Sequence, residues 1–275
     1  DEAEVMQIIL SLKSKRSCGK DGISNVFLKS ISEQILKPLT KIINKSIETG
    51  IVPEGMKLAK IVPSYKSKEP TLFSNYRPIS LLPAISKVFE KVIYKRLYNY
   101  VSVNNILYKS QYGFRSGHST TYAVSEFVTD VLKGFDNKEM TLAVFLDLSK
   151  AFDTVDHSIL LMKLEHYGVR GIPLLWFKNY LAERKQFVQY QKYESQLQEI
   201  KYGVPQGSVL GPLLFLIYIN DLKSCLSICK AIIFADDTTI YITGKNKKDL
   251  IFELTNDLAC LKEWFDTSKL SLNIS

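Results

Sequence analysis

The stretch Ala231-Ile-Ile-Phe-Ala-Asp236-Asp237-Thr-Thr-Ile-Tyr-Ile242 constrains this chain more than any other. Apolar and β-branched residues on either side read as two buried strands, 231–234 and 238–243, folded into a hairpin. The paired acids then fall at the bend, on the rim of a sheet, close enough to repel each other. A bound cation relieves such repulsion. Seen alone, the pair reads more readily as tight-turn chemistry, because aspartate tolerates sharp bends.

A second acid bears on that choice. Asp147 ends the apolar strand Leu142-Ala-Val-Phe-Leu146 and opens Asp147-Leu-Ser-Lys-Ala-Phe-Asp153. If the two strands are neighbours, three carboxylates converge into the oxygen-rich set that Mg²⁺ prefers. Two such ions about 4 Å apart stabilise both the attacking and the leaving oxygen of an in-line displacement. Asp153 and Asp156 read more plainly as helix-start residues. A third element, Tyr202-Gly-Val-Pro-Gln206-Gly-Ser-Val-Leu-Gly-Pro212, is a glycine-rich turn opening a helix. Glycines let the backbone approach a ligand, and a helix N-terminus favours phosphate. A strand-to-helix junction explains the glycines and prolines by itself, but not Gln206 between them.

The remaining pattern supplies the frame. Val5, Ile8, Ile9 and Leu12 have helical spacing, followed by a basic loop over 13–22. A second amphipathic stretch runs from Phe27 to Ile47, with Pro38 as an expected kink and Gly50 as the stop. Residues 57–65 read as a strand, 66–75 as a charged loop, and Ile85 to Leu97 as part of a helix. Beyond Met140 a strand is expected over 141–148, helices over 159–167 (capped by Asp156) and 173–182, and strands over 185–191 and 196–202. A buried helix follows at 210–222, a last helix at 248–265 and a strand at 270–274. Together these define an α+β fold.

The chain's excess of 36 Lys and Arg over 28 Asp and Glu is unevenly placed. Residues 1–139 hold 21 against 13, leaving 15 against 15 for residues 140–275. A basic half beside a neutral one suits a protein whose first part tracks a polyanion. Apolar content of 46% argues against disorder. No apolar run reaches the roughly 18 residues that span a bilayer, and no signal pattern is present, so an intracellular protein of the nucleus or cytoplasm is expected. The cysteines Cys18, Cys225, Cys229 and Cys260 lack metal-site spacing and read as reduced thiols.

Five blocks in order resemble the reverse transcriptases of non-LTR, LINE-type retrotransposons: Asn75-Tyr-Arg-Pro-Ile-Ser-Leu-Leu82, Gln111-Tyr-Gly-Phe-Arg-Ser-Gly-His-Ser-Thr120, Phe145-Leu-Asp-Leu-Ser-Lys-Ala-Phe-Asp153, Gly203-Val-Pro-Gln-Gly-Ser208 and Phe234-Ala-Asp-Asp237. The resemblance implies a right-hand polymerase fold over 1–275, fingers plus palm, with an antiparallel palm sheet packed on helices. Residues 1–120 would be mainly fingers and 121–275 mainly palm, with fingers strands near 185–202. It implies an RNA-directed DNA polymerase, a nucleotidyltransferase adding deoxynucleotides to a primer 3′-hydroxyl by two-metal phosphoryl transfer. A catalytically inactive nucleic-acid-binding relic is the alternative, and RNA-templated RNA polymerases and nucleotide cyclases share related palms.

By the same resemblance, Asp147, Asp236, Asp237 and the backbone carbonyl of Leu148 would hold two Mg²⁺ ions, with Mn²⁺ as a possible substitute. Phe152 would be the steric gate against a 2′-hydroxyl. Gln206 would hold the incoming nucleotide near its 3′-hydroxyl, and Arg77, assisted by Lys66 or Lys68, would meet the triphosphate. Arg115 matches a fingers arginine that meets either the template backbone or the nucleotide. Partners would be an RNA template, a DNA primer and deoxynucleoside triphosphates, without a membrane. The sequence stops just before the Lys of the family's Asn-x-x-Lys segment, so the thumb, and an endonuclease, are expected elsewhere in a parent polyprotein.

Overall fold

The computed structural model describes residues 1–67 and 69–273. Helix α1 (Glu2–Ser11) starts where the Asp1 carboxylate accepts from the Glu4 amide, and it buries Val5 and Ile9. Helices α2 (Asn25–Ser30) and α3 (Ser32–Thr49) divide the second amphipathic stretch. The break falls at Ile31, not at Pro38 as expected: Ile31 has φ −109° and ψ 15°, and α3 runs through its proline. Pro38 forfeits one backbone bond, which burial of Leu39 and Ile43 against α1 outweighs. Gly50, at φ +70°, closes α3 in the left-handed conformation that a Cβ would strain.

Strand β1 (Leu58–Tyr65) pairs antiparallel with β2 (Tyr76–Leu81), from Lys60 opposite Leu81 to Tyr65 opposite Tyr76. Helix α4 (Ala84–Val103) follows, then α5 (Thr120–Asp136), capped by the Ser119 hydroxyl. After β3 (Met140–Leu146), Asp156 caps α6 (His157–His166) by accepting from the Ser158 and Ile159 amides, as expected from the sequence. Helix α7 (Ile172–Leu181) leads into β4 (Lys185–Tyr190). The strand expected over 196–202 shrinks to β6 (Gln198–Glu199), preceded by β5 (Tyr193–Glu194). Helix α8 (Gly211–Ile219), the hairpin β7 (Lys230–Phe234) and β8 (Asp237–Gly244), and α9 (Lys247–Thr267) complete the chain.

Two sheets result. The first has the order β2-β1-β4-β5, with β6 also on β4, and its β1–β4 pairing is parallel, Leu58 opposite Lys185. Strands near 185–202 therefore join the sheet begun by residues 58–81. The second, β3-β8-β7, is antiparallel throughout. Helix α8 is apolar on every side, with Leu213 to Ile219 all buried, which places it inside the main core beneath the second sheet. A separate core joins α1, α3 and α4. Among the described residues, no helix is long and apolar enough to cross a membrane.

Candidate active site

The second sheet brings the acids to one end. Leu146 lies opposite Thr238 and Phe234 opposite Asp237, so Asp147, the Ala235-Asp236 turn and Asp237 share a rim. Asp147 and Asp237 are exposed while Asp236 is half-buried. Burial pushes the Asp236 carboxyl up, the charges of Asp237 and Asp147 add to that, and its own backbone amide and Arg77 pull the other way. An all-oxygen set under mutual repulsion suits a hard divalent cation. Among the described residues, no three acid, His or Cys side chains stand together as a finished ligand set.

Asp147 is fixed from outside the hairpin. Its Oδ2 accepts from Asn273 Nδ2 at 2.7 Å, and its carbonyl accepts from the Asn273 amide at 2.8 Å. With the Ser149 amide on the Ser271 carbonyl, these bonds form a short antiparallel ladder around Leu148 and Leu272. That ladder is what the expected strand over 270–274 becomes; Ile274 lies outside the described residues. It uses the carbonyls of Asp147 and Ser271, not that of Leu148.

The turn itself carries strain, because Ala235 has φ +58°. Gln111 holds it: its Oε1 accepts from the amides of Ala235, at 3.1 Å, and Gly113, at 2.8 Å. Gly113 packs so tightly that a Cβ would lie 2.3 Å from the Ala235 nitrogen. Residues 110–112 run parallel to β7, with the Tyr112 amide on the Ile233 carbonyl. Gln111 stands in the second of the five blocks, where nothing in the sequence assigns it this task beyond a glutamine two positions before a glycine.

The glycine-rich turn departs from its sequence reading. Gly203 (φ +84°) and Gly207 (φ +128°) admit the protein's own backbone: a Cβ would lie 2.7 Å from the Asp153 carbonyl oxygen or 2.5 Å from that of Ser80. Nor is the α8 N-terminus open to phosphate. Glu90 of α4, wholly buried, accepts there from the Val209 and Leu210 amides. An acid among the apolar positions of α4 was the sequence sign of that cap. Asp153, expected to start a helix, instead has both carboxylate oxygens 2.9 Å from Gln206 Nε2.

Phe152 lies beside that pair, stacked on Phe215 at 4.6 Å and edge-on to Phe114 at 5.9 Å. Arg77 is exposed on β2, three residues before Ser80, whose amide donates to the Gln206 carbonyl. Lys66 is exposed just past β1, and its amide meets the Asn75 carbonyl. Lys68 lies outside the described residues. Arg115 turns back onto its own loop, its Nη1 donating to the Tyr108, Lys109 and Gln111 carbonyls. All four cysteines carry free thiols.

The site thus combines acids on a sheet rim, the charge of Arg77 acting on Asp236, and a glycine turn beside the Phe152 ring. Residues 65–275 match the family described as reverse transcriptase (RNA-dependent DNA polymerase), and the chain belongs to that family. It is 32% identical, over 98% of its length, to the RNA-directed DNA polymerase from mobile element jockey of Drosophila melanogaster. It is 37% identical over 80% of its length to the probable RNA-directed DNA polymerase from transposon BS, and 32% identical over its whole length to that from transposon X-element, both of the same fly. The chain spans 30%, 24% and 31% of those relatives' lengths, respectively.

Proposed function

We propose that this chain is the catalytic centre of a LINE-type RNA-directed DNA polymerase, in which Asp147, Asp236, Asp237 and the Leu148 carbonyl hold two Mg²⁺ ions, replaceable by Mn²⁺. The supporting observation is the sheet rim that sets Asp236 between Asp237 and Asp147 under the influence of Arg77. When bound, the ions would supply charge neutralisation and activation of the primer 3′-hydroxyl. Little proton transfer is then required of the side chains. Arg77, with Lys66, neutralises the triphosphate. Phe152, its ring held by Phe215, closes the space beside C2′ of the sugar. Gln206 meets the nucleotide near its 3′-hydroxyl, and Arg115 contributes by fixing the loop that carries Gln111.

On this reading the first sheet and α1 to α4 belong mainly to fingers, and the second sheet with α6, α8 and α9 to palm. The partners are an RNA template, a DNA primer and deoxynucleoside triphosphates, met inside the cell in nucleus or cytoplasm. A thumb and an endonuclease belong to the parent polypeptide. The test is extension of a primed RNA template by the full-length protein with Mg²⁺ or Mn²⁺. Asp236→Asn is expected to abolish incorporation; persistence in that variant would sink the metal assignment. Salt-sensitive nucleic-acid binding without incorporation under any condition supports a non-catalytic relic instead.

A further inference from the structure

Gln206 and Asp153 face each other with unusual definition. Both oxygens of the Asp153 carboxylate lie 2.9 Å from the same nitrogen, Gln206 Nε2. An ionised carboxylate only accepts, so the amide must present its NH₂ group there, and the choice between the two amide orientations is fixed. Gln206 Oε1 is thereby turned away from Asp153 as an acceptor.

The backbone keeps both partners in place. The Val204 amide donates to the Phe152 carbonyl and the Gly203 amide to the Val155 carbonyl, lacing the two segments together on either side of Asp153. The bare Cα of Gly203 is what allows this approach. The Gln206 carbonyl is held in turn by the Ser80 amide at 2.8 Å. With its main chain tied and its nitrogen taken, Gln206 has lost the freedom to exchange donor for acceptor. Burial pushes the Asp153 carboxyl up, while Gln206 and Lys150 favour its charged form.

We propose that Asp153 is a positioning residue for the nucleotide: by taking Gln206 Nε2 it presents Gln206 Oε1 to a hydroxyl donor at the 3′ position of the incoming sugar. This rests on the reading of Gln206 as a nucleotide-binding residue. It deepens that reading by assigning the hydrogen bond a direction and a cause. A 2′,3′-dideoxynucleotide lacks the donor and leaves Oε1 unmet, so the pair sets a preference for nucleotides that can be extended again.

Single-nucleotide incorporation by the full-length protein tests it, with dTTP and 2′,3′-dideoxy-TTP compared in wild type, Asp153→Ala, Gln206→Ala and the double variant. Asp153→Ala, which removes the acceptor, is expected to raise KM for dTTP about tenfold, more than it lowers kcat, and to cut the preference for dTTP by about as much. In the Gln206→Ala background it should add nothing. If Gln206→Ala leaves KM and preference at wild-type values, the reading of Gln206 falls and takes the proposal with it. If Gln206→Ala shifts both but Asp153→Ala shifts neither, or shifts them equally in both backgrounds, the positioning role alone is overturned. Should Asp153→Ala fold poorly, the pair Gln206→Glu and Gln206→Glu/Asp153→Asn replaces it. Opposed carboxylates should raise KM in the first, and the exchanged donor should restore it in the second; no restoration overturns the proposal.

Discussion

Phe152 sits at the rim of a core, and the sugar gate proposed for it would be a second task beside packing. Its ring is stacked on buried Phe215 and only partly covered, so its orientation is set by packing while part of it remains exposed. Phe152→Ala is expected to weaken discrimination against ribonucleotides by about two orders of magnitude, given that a filled or emptied aromatic volume is worth roughly 3 kcal/mol. Competition between dCTP and CTP in primer extension measures it; unchanged sugar selectivity would remove the gate. Glu90 answers to packing alone. Its carboxylate accepts from the Val209 and Leu210 amides at the start of α8 and from the Tyr180 hydroxyl, and Arg184, 0% exposed, lies over the Tyr180 ring. Glu90→Ala leaves those amides unmet and a buried guanidinium without its counter-charge. A loss of about 3–5 kcal/mol in denaturant unfolding is expected, and a smaller one for Glu90→Gln, which retains an acceptor. Equal losses in both variants would refute the role of the charge. Neither role is visible in composition, because each depends on which distant segment arrives opposite the residue.

Among the elements, α6 offers the clearest electrostatic test. Burial alone would push the Asp156 carboxyl up, but the bonds from Lys269 and from the Ile159 and Ser158 amides outweigh it and hold the group below the ordinary aspartate range. A depressed acid contributes stability that is present above its unfolded value, about 3.9, and lost as pH falls through the folded one. Asp156→Asn keeps an acceptor at the cap and loses the charge. Thermal unfolding should find it less stable than wild type at pH 6, the two converging as pH drops below about 4. A gap independent of pH would argue against it. Caps, helical periodicity and the acid hairpin were all legible in the sequence because they are local. Strand β2 was not, since Pro78 interrupts the pattern of a strand. The register explains why it is tolerated: β2 is an edge, Pro78 lies opposite Pro63, and β4 reaches β1 only over Leu58 to Ile61. Helix α5 escaped for another reason, because it turns Val124, Val128, Leu132 and Phe135 outward and buries little. The acids of the candidate site could be read from strand ends, whereas the contacts of Gln111, Asn273 and Asp153 required partners 53 to 126 positions away.

The whole molecule is electrically lopsided, and the excess positive charge is accessible. Lys13, Lys15, Arg16 and Lys20 occupy the exposed loop after α1, and Lys37, Lys41 and Lys45 line the outer side of α3. If five phosphates are neutralised, affinity for single-stranded RNA should fall about a hundredfold between about 50 and 200 mM salt. Charge reversal at Lys37, Lys41 and Lys45 should flatten that slope, as read by fluorescence anisotropy; an unchanged slope would place the contacts elsewhere. The halves that differ in charge are nonetheless not separable bodies. Leu58 pairs with Lys185, 127 positions later, and both elements belong to one sheet. During synthesis at roughly 5–20 residues per second, β1 would wait on the order of 6–25 s for its parallel neighbour. Through that interval a nascent chain exposes an open strand edge to whatever surrounds the ribosome. A segment placed early in the gene but completed late in the fold therefore makes the speed of translation, and the chaperones met on the way, part of how this fold comes into being.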